Sequence, residues 1–139
     1  MKYLIDTCVL SELVRPKPDR HVLAWMESCE EEAIFLSVLT LGEIQKGIEK
    51  LAPGKRRNEL QGWLDRDLRR RFADRLLEID SEVALVWGRV QASMESAGTP
   101  LPTIDGLLSA TAIAHNLTIA TRNTADFLRG GANVFNPWT

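Results

Sequence analysis

Short, almost wholly apolar runs alternate along this chain with longer stretches whose apolar residues recur at helical spacing. Tyr3–Ile5 is the first such run and predicts a strand. A helix around Val9–Val14 follows and is stopped by Pro16 and Pro18. A second helix is expected from Val22 to about Cys29, ahead of the apolar run Ala33–Val38, the second strand. Leu41, Ile44, Ile48 and Leu51 then lie on one helical face until Pro53-Gly54 breaks the pattern. Leu60, Trp63, Leu64 and Leu68 mark another helix, and Leu76–Ile79 a short strand. Val83, Val86, Trp87 and Val90 predict a helix ended by Gly98 and Pro100; the next spans about Thr103 to His115 and feeds the strand Leu117–Thr121. A helical turn at Asp126–Leu128 and a last strand at Val134-Phe135 close the pattern. Near-continuous apolar strands alternating with helices predict an α/β fold, a three-layer α/β/α sandwich around a mostly parallel sheet, with residues 1–139 as one domain.

Composition changes this picture little. The 45% hydrophobic and 26% charged fractions are those of an ordinary globular chain, which argues against disorder. No apolar run reaches the ~20 residues of a membrane span, and residues 1 to 15 lack a signal-peptide pattern, so a cytoplasmic protein is expected. Cys8 and Cys29 stand apart and suggest neither a zinc site nor a disulfide framework. Charge is more informative. Residues 55–75 hold eight Lys or Arg against four Asp or Glu, a surplus of four positives in a chain of net charge −2, so the remainder carries −6. Such a basic helix, with Arg69, Arg70 and Arg71 at its end, could lay a polyanion over an acidic site; the bland reading is a solvated amphipathic face.

The chemistry lies in four acids. Asp6 ends the first strand, Glu43 follows the second, Asp105 sits in the first turn of its helix, and Asp126 follows the strand Leu117–Thr121. In open parallel sheets, ligands bind at the carboxyl ends of strands. Parallel strands would deliver Asp6, Glu43 and Asp126 to one edge, and a helix running back along the sheet would add Asp105. Each acid also has a local explanation. Thr40 and Glu43 match a capping box, Asp6 could be an N-cap, and Asp105 and Asp126 suit the positive end of a helix dipole. Clustered carboxylates oppose each other's ionisation unless a cation sits among them. Oxygen-only donors favour a hard ion, Mg²⁺ or Mn²⁺, and such an ion suits phosphodiester hydrolysis by a metal-activated water.

The segments LIDTCVLSEL, LSVLTLGEIQKGIEKL, PTIDGLLSATAIAHNLTIATRNTADF and NPW together resemble PIN-domain ribonucleases of the VapC toxin type. The resemblance covers essentially the whole chain. It implies a homodimeric Mg²⁺- or Mn²⁺-dependent endoribonuclease, the toxin of a type II toxin–antitoxin pair, with RNA as substrate and a cognate antitoxin that covers the acidic groove. It maps metal-binding and catalytic roles onto Asp6, Glu43 and Asp105, with Thr7 and Thr121 supporting the acids or a bound water. One position departs: Asn123 stands where family members often carry an acid, so Asp126 or the Asn123 amide is left to complete the site. Three other readings compete. A receiver-type signalling domain would need paired acids after the first strand, where Thr7 and Cys8 follow Asp6, and a Lys where Arg122 follows Thr121. A dehalogenase-like phosphatase would need an acid at Cys8. A binding-only module of the same fold would keep the architecture without the chemistry.

Overall fold

The computed structural model describes residues 1–139. Five strands form one sheet in the order β3-β2-β1-β4-β5: β1 (Tyr3–Ile5), β2 (Ile34–Ser37), β3 (Leu76–Leu77), β4 (Thr118–Ala120) and β5 (Asn133–Phe135). Every neighbouring pair is parallel, with Tyr3 opposite Ile34 on one side and Thr118 on the other. All strand carboxyl ends therefore share one edge.

Alternation along the strands builds the two outer layers. Ile5, Ile34, Leu36 and Ala120 point to one face, where they pack with Val9, Leu10, Val22, Ile44, Ile48 and Phe72. Leu4 and Ile119 point to the other, against Leu108, Ala112 and Phe127, with Phe35 alongside. Helices α1 (Thr7–Leu13), α2 (Arg20–Ser28) and α3 (Val38–Glu49) lie on the first side with α4 (Lys55–Gly62). The second face is covered by α7 (Thr103–His115) and α8 (Thr124–Arg129). Helix α6 (Ser81–Ser96) packs outside α7. The expected three-layer α/β/α sandwich is the observed architecture.

Three boundaries differ from expectation for identifiable reasons. Val38 leaves β2 and opens α3 because Ser37 caps the helix, its Oγ accepting from the Leu39 N–H at 3.0 Å. Helix α1 starts at Thr7, not Val9, because the Asp6 carboxylate accepts from the Thr7 N–H at 2.9 Å. The basic helix is not uniform: α4 runs on through a π-helical stretch, Trp63–Leu68, into a last α-turn, α5 (Arg69–Arg71). Its buried residues Leu64, Leu68 and Phe72 are four apart, more than one 3.6-residue turn. The wider π turn keeps them on one line toward the core.

The end of α7 fixes where its start lies. Asn116 takes the left-handed conformation (φ 54°) and the Leu117 N–H closes on the Ala112 carbonyl at 2.8 Å. The chain thus reverses directly into β4, and α7 runs back along the sheet. Its first turn, with Asp105, arrives at the edge where β1, β2 and β4 end.

Candidate metal centre

Asp6 is the cap of α1 and is held through both oxygens. Oδ1 accepts from the Thr7 N–H, and Oδ2 from the Thr121 hydroxyl at 2.8 Å and, more weakly, from the Cys8 thiol at 3.6 Å. The Thr121 hydroxyl is itself oriented, because its oxygen accepts the Asn123 N–H at 2.9 Å and so turns its proton to Asp6. Thr121 is fully buried. Burial and the neighbouring Asp6 charge raise the Cys8 thiol above its ordinary range, so Cys8 serves as a thiol donor rather than a thiolate.

Glu43 is not part of a capping box. With Ser37 as cap, α3 starts earlier than the Thr40–Glu43 pattern suggested, and Glu43 lies beyond the first turn. There it accepts the Thr7 hydroxyl at 2.7 Å. Thr7 therefore ties the two acids together, its amide to Asp6 and its hydroxyl to Glu43. Sequence reasoning could not have found this bridge, which spans 36 residues.

Asp105 enters the same corner with no hydrogen-bond donor of its own. Its carboxyl is pushed up to about 6 by burial first, and then by the charges of Asp6, Asp126 and Glu43. Asp6, Asp126 and Glu43 are thus the charged groups that act on Asp105. Asp126 is the outlying member: Arg129 Nη2 reaches its Oδ1 at 2.6 Å and Asn123 Nδ2 its Oδ2 at 3.2 Å, and these donors hold its carboxyl below the usual range.

The donor set fits a hard divalent cation: the acids are oxygen ligands, and neither histidine is among the groups that act on Asp105. No three acidic, histidine or cysteine side chains meet around a single point. Mg²⁺ keeps several of its waters, so it does not need a closed protein cage.

The basic segment divides. Arg69 and Arg70 are exposed. Arg71 is engaged, its guanidinium meeting both oxygens of Glu31 at 2.9 Å. A partner forty residues away is invisible in the local charge pattern.

The PIN-domain family matches residues 3–131. Similar proteins include Toxin FitB of Neisseria gonorrhoeae, 38% identical over 97% of both chains. VapC ribonuclease Y4jK of Sinorhizobium fredii is 35% identical over 97% of this chain and 96% of its own. The crystal structure of FitAcB from Neisseria gonorrhoeae superposes with a TM-score of 0.92 at 38% identity, covering 98% of each chain.

Proposed function

The chain belongs to the PIN-domain family, and on that premise we propose that it is the ribonuclease toxin of a type II toxin–antitoxin pair, cleaving RNA with Mg²⁺ or Mn²⁺ at Asp6, Glu43 and Asp105. Relatives named as a toxin and as a VapC ribonuclease support the first part, and the FitAcB structure supports a life in complex with a second protein. The observation that carries the second part is Asp105, a partly buried carboxyl with no donor, pressed by three like charges. A fold does not maintain that arrangement for stability, because it opposes ionisation at neutral pH. It suits a cation.

A bound Mg²⁺ or Mn²⁺ would supply an activated water and neutralise the charge that develops on the phosphate. The chain's own residues do the positioning. Thr121 and the Thr7 amide hold the Asp6 carboxylate, and the Thr7 hydroxyl holds Glu43, leaving Asp105 free to meet the ion. Asn123 steadies Thr121 through its amide, and Asp126 adds negative charge at the rim. Arg69 and Arg70, with Arg71 as a weaker third, contact the RNA backbone at the opposite end of the sheet from the acids rather than over them. The cognate antitoxin covers the acids, the toxin is a homodimer, and residues 1–139 act as one PIN-like unit.

The test is cleavage of a single-stranded RNA by the purified chain, with Mg²⁺, with Mn²⁺ and with excess chelator. Cleavage that needs the divalent ion and is lost in both D6N and D105N is expected. Chelator-resistant cleavage, or undiminished cleavage by either variant, would overturn the assignment. A folded chain that binds RNA but does not cut it would favour the binding-only module.

A further inference from the structure

The carboxyl edge of the sheet, where the acids stand, is poor in positive charge. The residues between each strand and the helix after it, those after β5 and residues 97–102 before α7 contain a single Lys or Arg, which is Arg122. It directly follows Thr121, whose hydroxyl holds Asp6. Its side chain is built into the fold at two points. The guanidinium carbon lies 4.1 Å from the centre of the ring of Trp138, just beyond the end of β5. Trp138 is itself fixed, packed against the core and with its backbone N–H donating to Asn136 Oδ1 at 2.9 Å. Glu12 of α1, a buried carboxylate, accepts from Arg122 Nη2 at 3.4 Å. That bond is long, and Glu12 already takes Arg15 at 3.2 Å and the Asp19 N–H at 3.0 Å. The Arg122 side chain meanwhile remains 56% exposed. A guanidinium carries five N–H donors, and this one spends a single long bond on the protein.

We propose that Arg122 binds RNA at the acidic edge: its guanidinium, held over Trp138 and tethered by Glu12, receives a backbone phosphate of single-stranded RNA beside the one that is cut. This rests on the RNA-cleaving reading of Asp6, Glu43 and Asp105 given above. A polyanion that reaches an edge lined by carboxylates meets repulsion unless a cation stands with them. Arg69 and Arg70 do not serve there, since the Arg71–Glu31 pair places that run at the amino end of the sheet. Arg129, in α8, is committed on both arms, to Asp126 and to the Thr99 carbonyl. Arg122 is left with free donors. A planar fork already fixed by an aromatic face matches phosphate oxygens in pairs and loses little freedom on binding. Glu12 and Trp138 are positioning residues, which act on the RNA through Arg122.

The experiment is steady-state cleavage of a single-stranded RNA by the full chain with Mg²⁺, over a range of KCl concentrations. R122Q is expected to raise KM at least about tenfold with kcat little changed, the signature of lost binding shared by ground and transition states. Its kcat/KM should also depend less on salt, by about 0.7 in the logarithmic slope for one lost phosphate contact. R122K, which keeps the charge without the fork, should raise KM less and keep the slope, and W138L should do the same. R89Q, which removes one charge from an exposed position on α6, should change neither. Unchanged KM and slope in R122Q, with or without the lower kcat and melting temperature of a purely structural role, would overturn the proposal. So would an equal loss in R89Q. If R122Q does not fold, R122K decides: a raised KM with kcat and slope kept supports the proposal, and any other result overturns it. A wild type that cleaves no RNA would instead remove the reading on which the proposal rests, an outcome distinct from normal cleavage by R122Q.

Discussion

Glu31 and Asp105 are carboxylates at opposite edges of the same sheet, and the fold treats them in opposite ways. Glu31 lies in the turn that leads into β2. It receives Arg71 through two nitrogens and Arg75 through a third, and its carboxyl is held below the usual range, chiefly by the Arg71 hydrogen bond. Arg75 is almost fully buried and also donates to the backbone carbonyls of Glu31, Ile34 and Arg71, while stacking 4.8 Å from the centre of the Phe72 ring. That edge is cemented by matched charge. At the other edge Asp105 is pushed up by burial and three like charges, and no guanidinium comes to it. The chain has arginines to spare and pairs them with Glu12, Glu31 and Asp126. Matched acids join elements together, whereas Asp105 has no such partner and is the carboxyl on which the proposed cation site rests.

The largest expected effect separates the two edges by function. D6N and D105N should each lower RNA cleavage by ~10³-fold or more, the loss of several kcal/mol of transition-state stabilisation. Metal-free D105N should melt at a higher temperature than wild type near neutral pH, because it removes repulsion. Full cleavage in D105N, or a lower melting temperature, would break the contrast. At the cemented edge the order reverses. R75A should lower the unfolding free energy by about 3 kcal/mol in a urea titration, because it removes a nearly buried guanidinium from three backbone carbonyl acceptors. Its folded fraction should cleave RNA normally. A loss below about 1 kcal/mol, the worth of a surface ion pair, would show that this edge is not held by charge.

pH sharpens the comparison further, with opposite signs at the two edges. Asp105 is raised from 3.8 to about 6, so the folded chain binds more protons there than the unfolded chain does. Its contribution is fully present below 3.8 and is lost as pH rises through about 6. Glu31 is lowered from 4.5, so its contribution is present above 4.5 and is lost as pH falls through the lower folded value. Melting curves of the metal-free chain should therefore show D105N stabilising at neutral pH and neutral in effect in acid. E31Q should be destabilising at neutral pH and less so in acid. Saturating Mg²⁺ should erase the D105N advantage. The smallest effect concerns the flank of the cemented edge. Neutralising the exposed Arg69 and Arg70 should flatten the salt dependence of RNA binding by about 0.7 per lost phosphate contact on single strands. R71Q should add less, its charge being spent on Glu31.

The layers, the strand order of appearance and the placing of Asp6 and Asp105 at the strand carboxyl edge were legible in the sequence because they follow from local periodicity and from the geometry of parallel sheets. The rest depended on contacts across long separations. Thr7 meets Glu43 and Thr121 meets Asp6 over 36 and 115 residues. Arg71 finds Glu31 over 40, and nothing in a run of arginines announces which of them is taken. One miss had a visible signal: Ser37, directly before Val38, is as good a cap as Thr40, and choosing it frees Glu43 from the capping box. Another lay in plain spacing, with Asn123 and Arg129 each three residues from Asp126.

The order of strands in the sheet also sets a schedule for the molecule's synthesis. The central strand β1 is the first to be made, but its neighbour β4, with the Thr121 hydroxyl that orients Asp6, comes more than a hundred residues later. Asp105 is also made late, in α7. A growing chain therefore carries Asp6 through most of its length before Asp105 and Thr121 are made. A polypeptide that stalls before β4 holds Asp6 without the Thr121 hydroxyl that orients it.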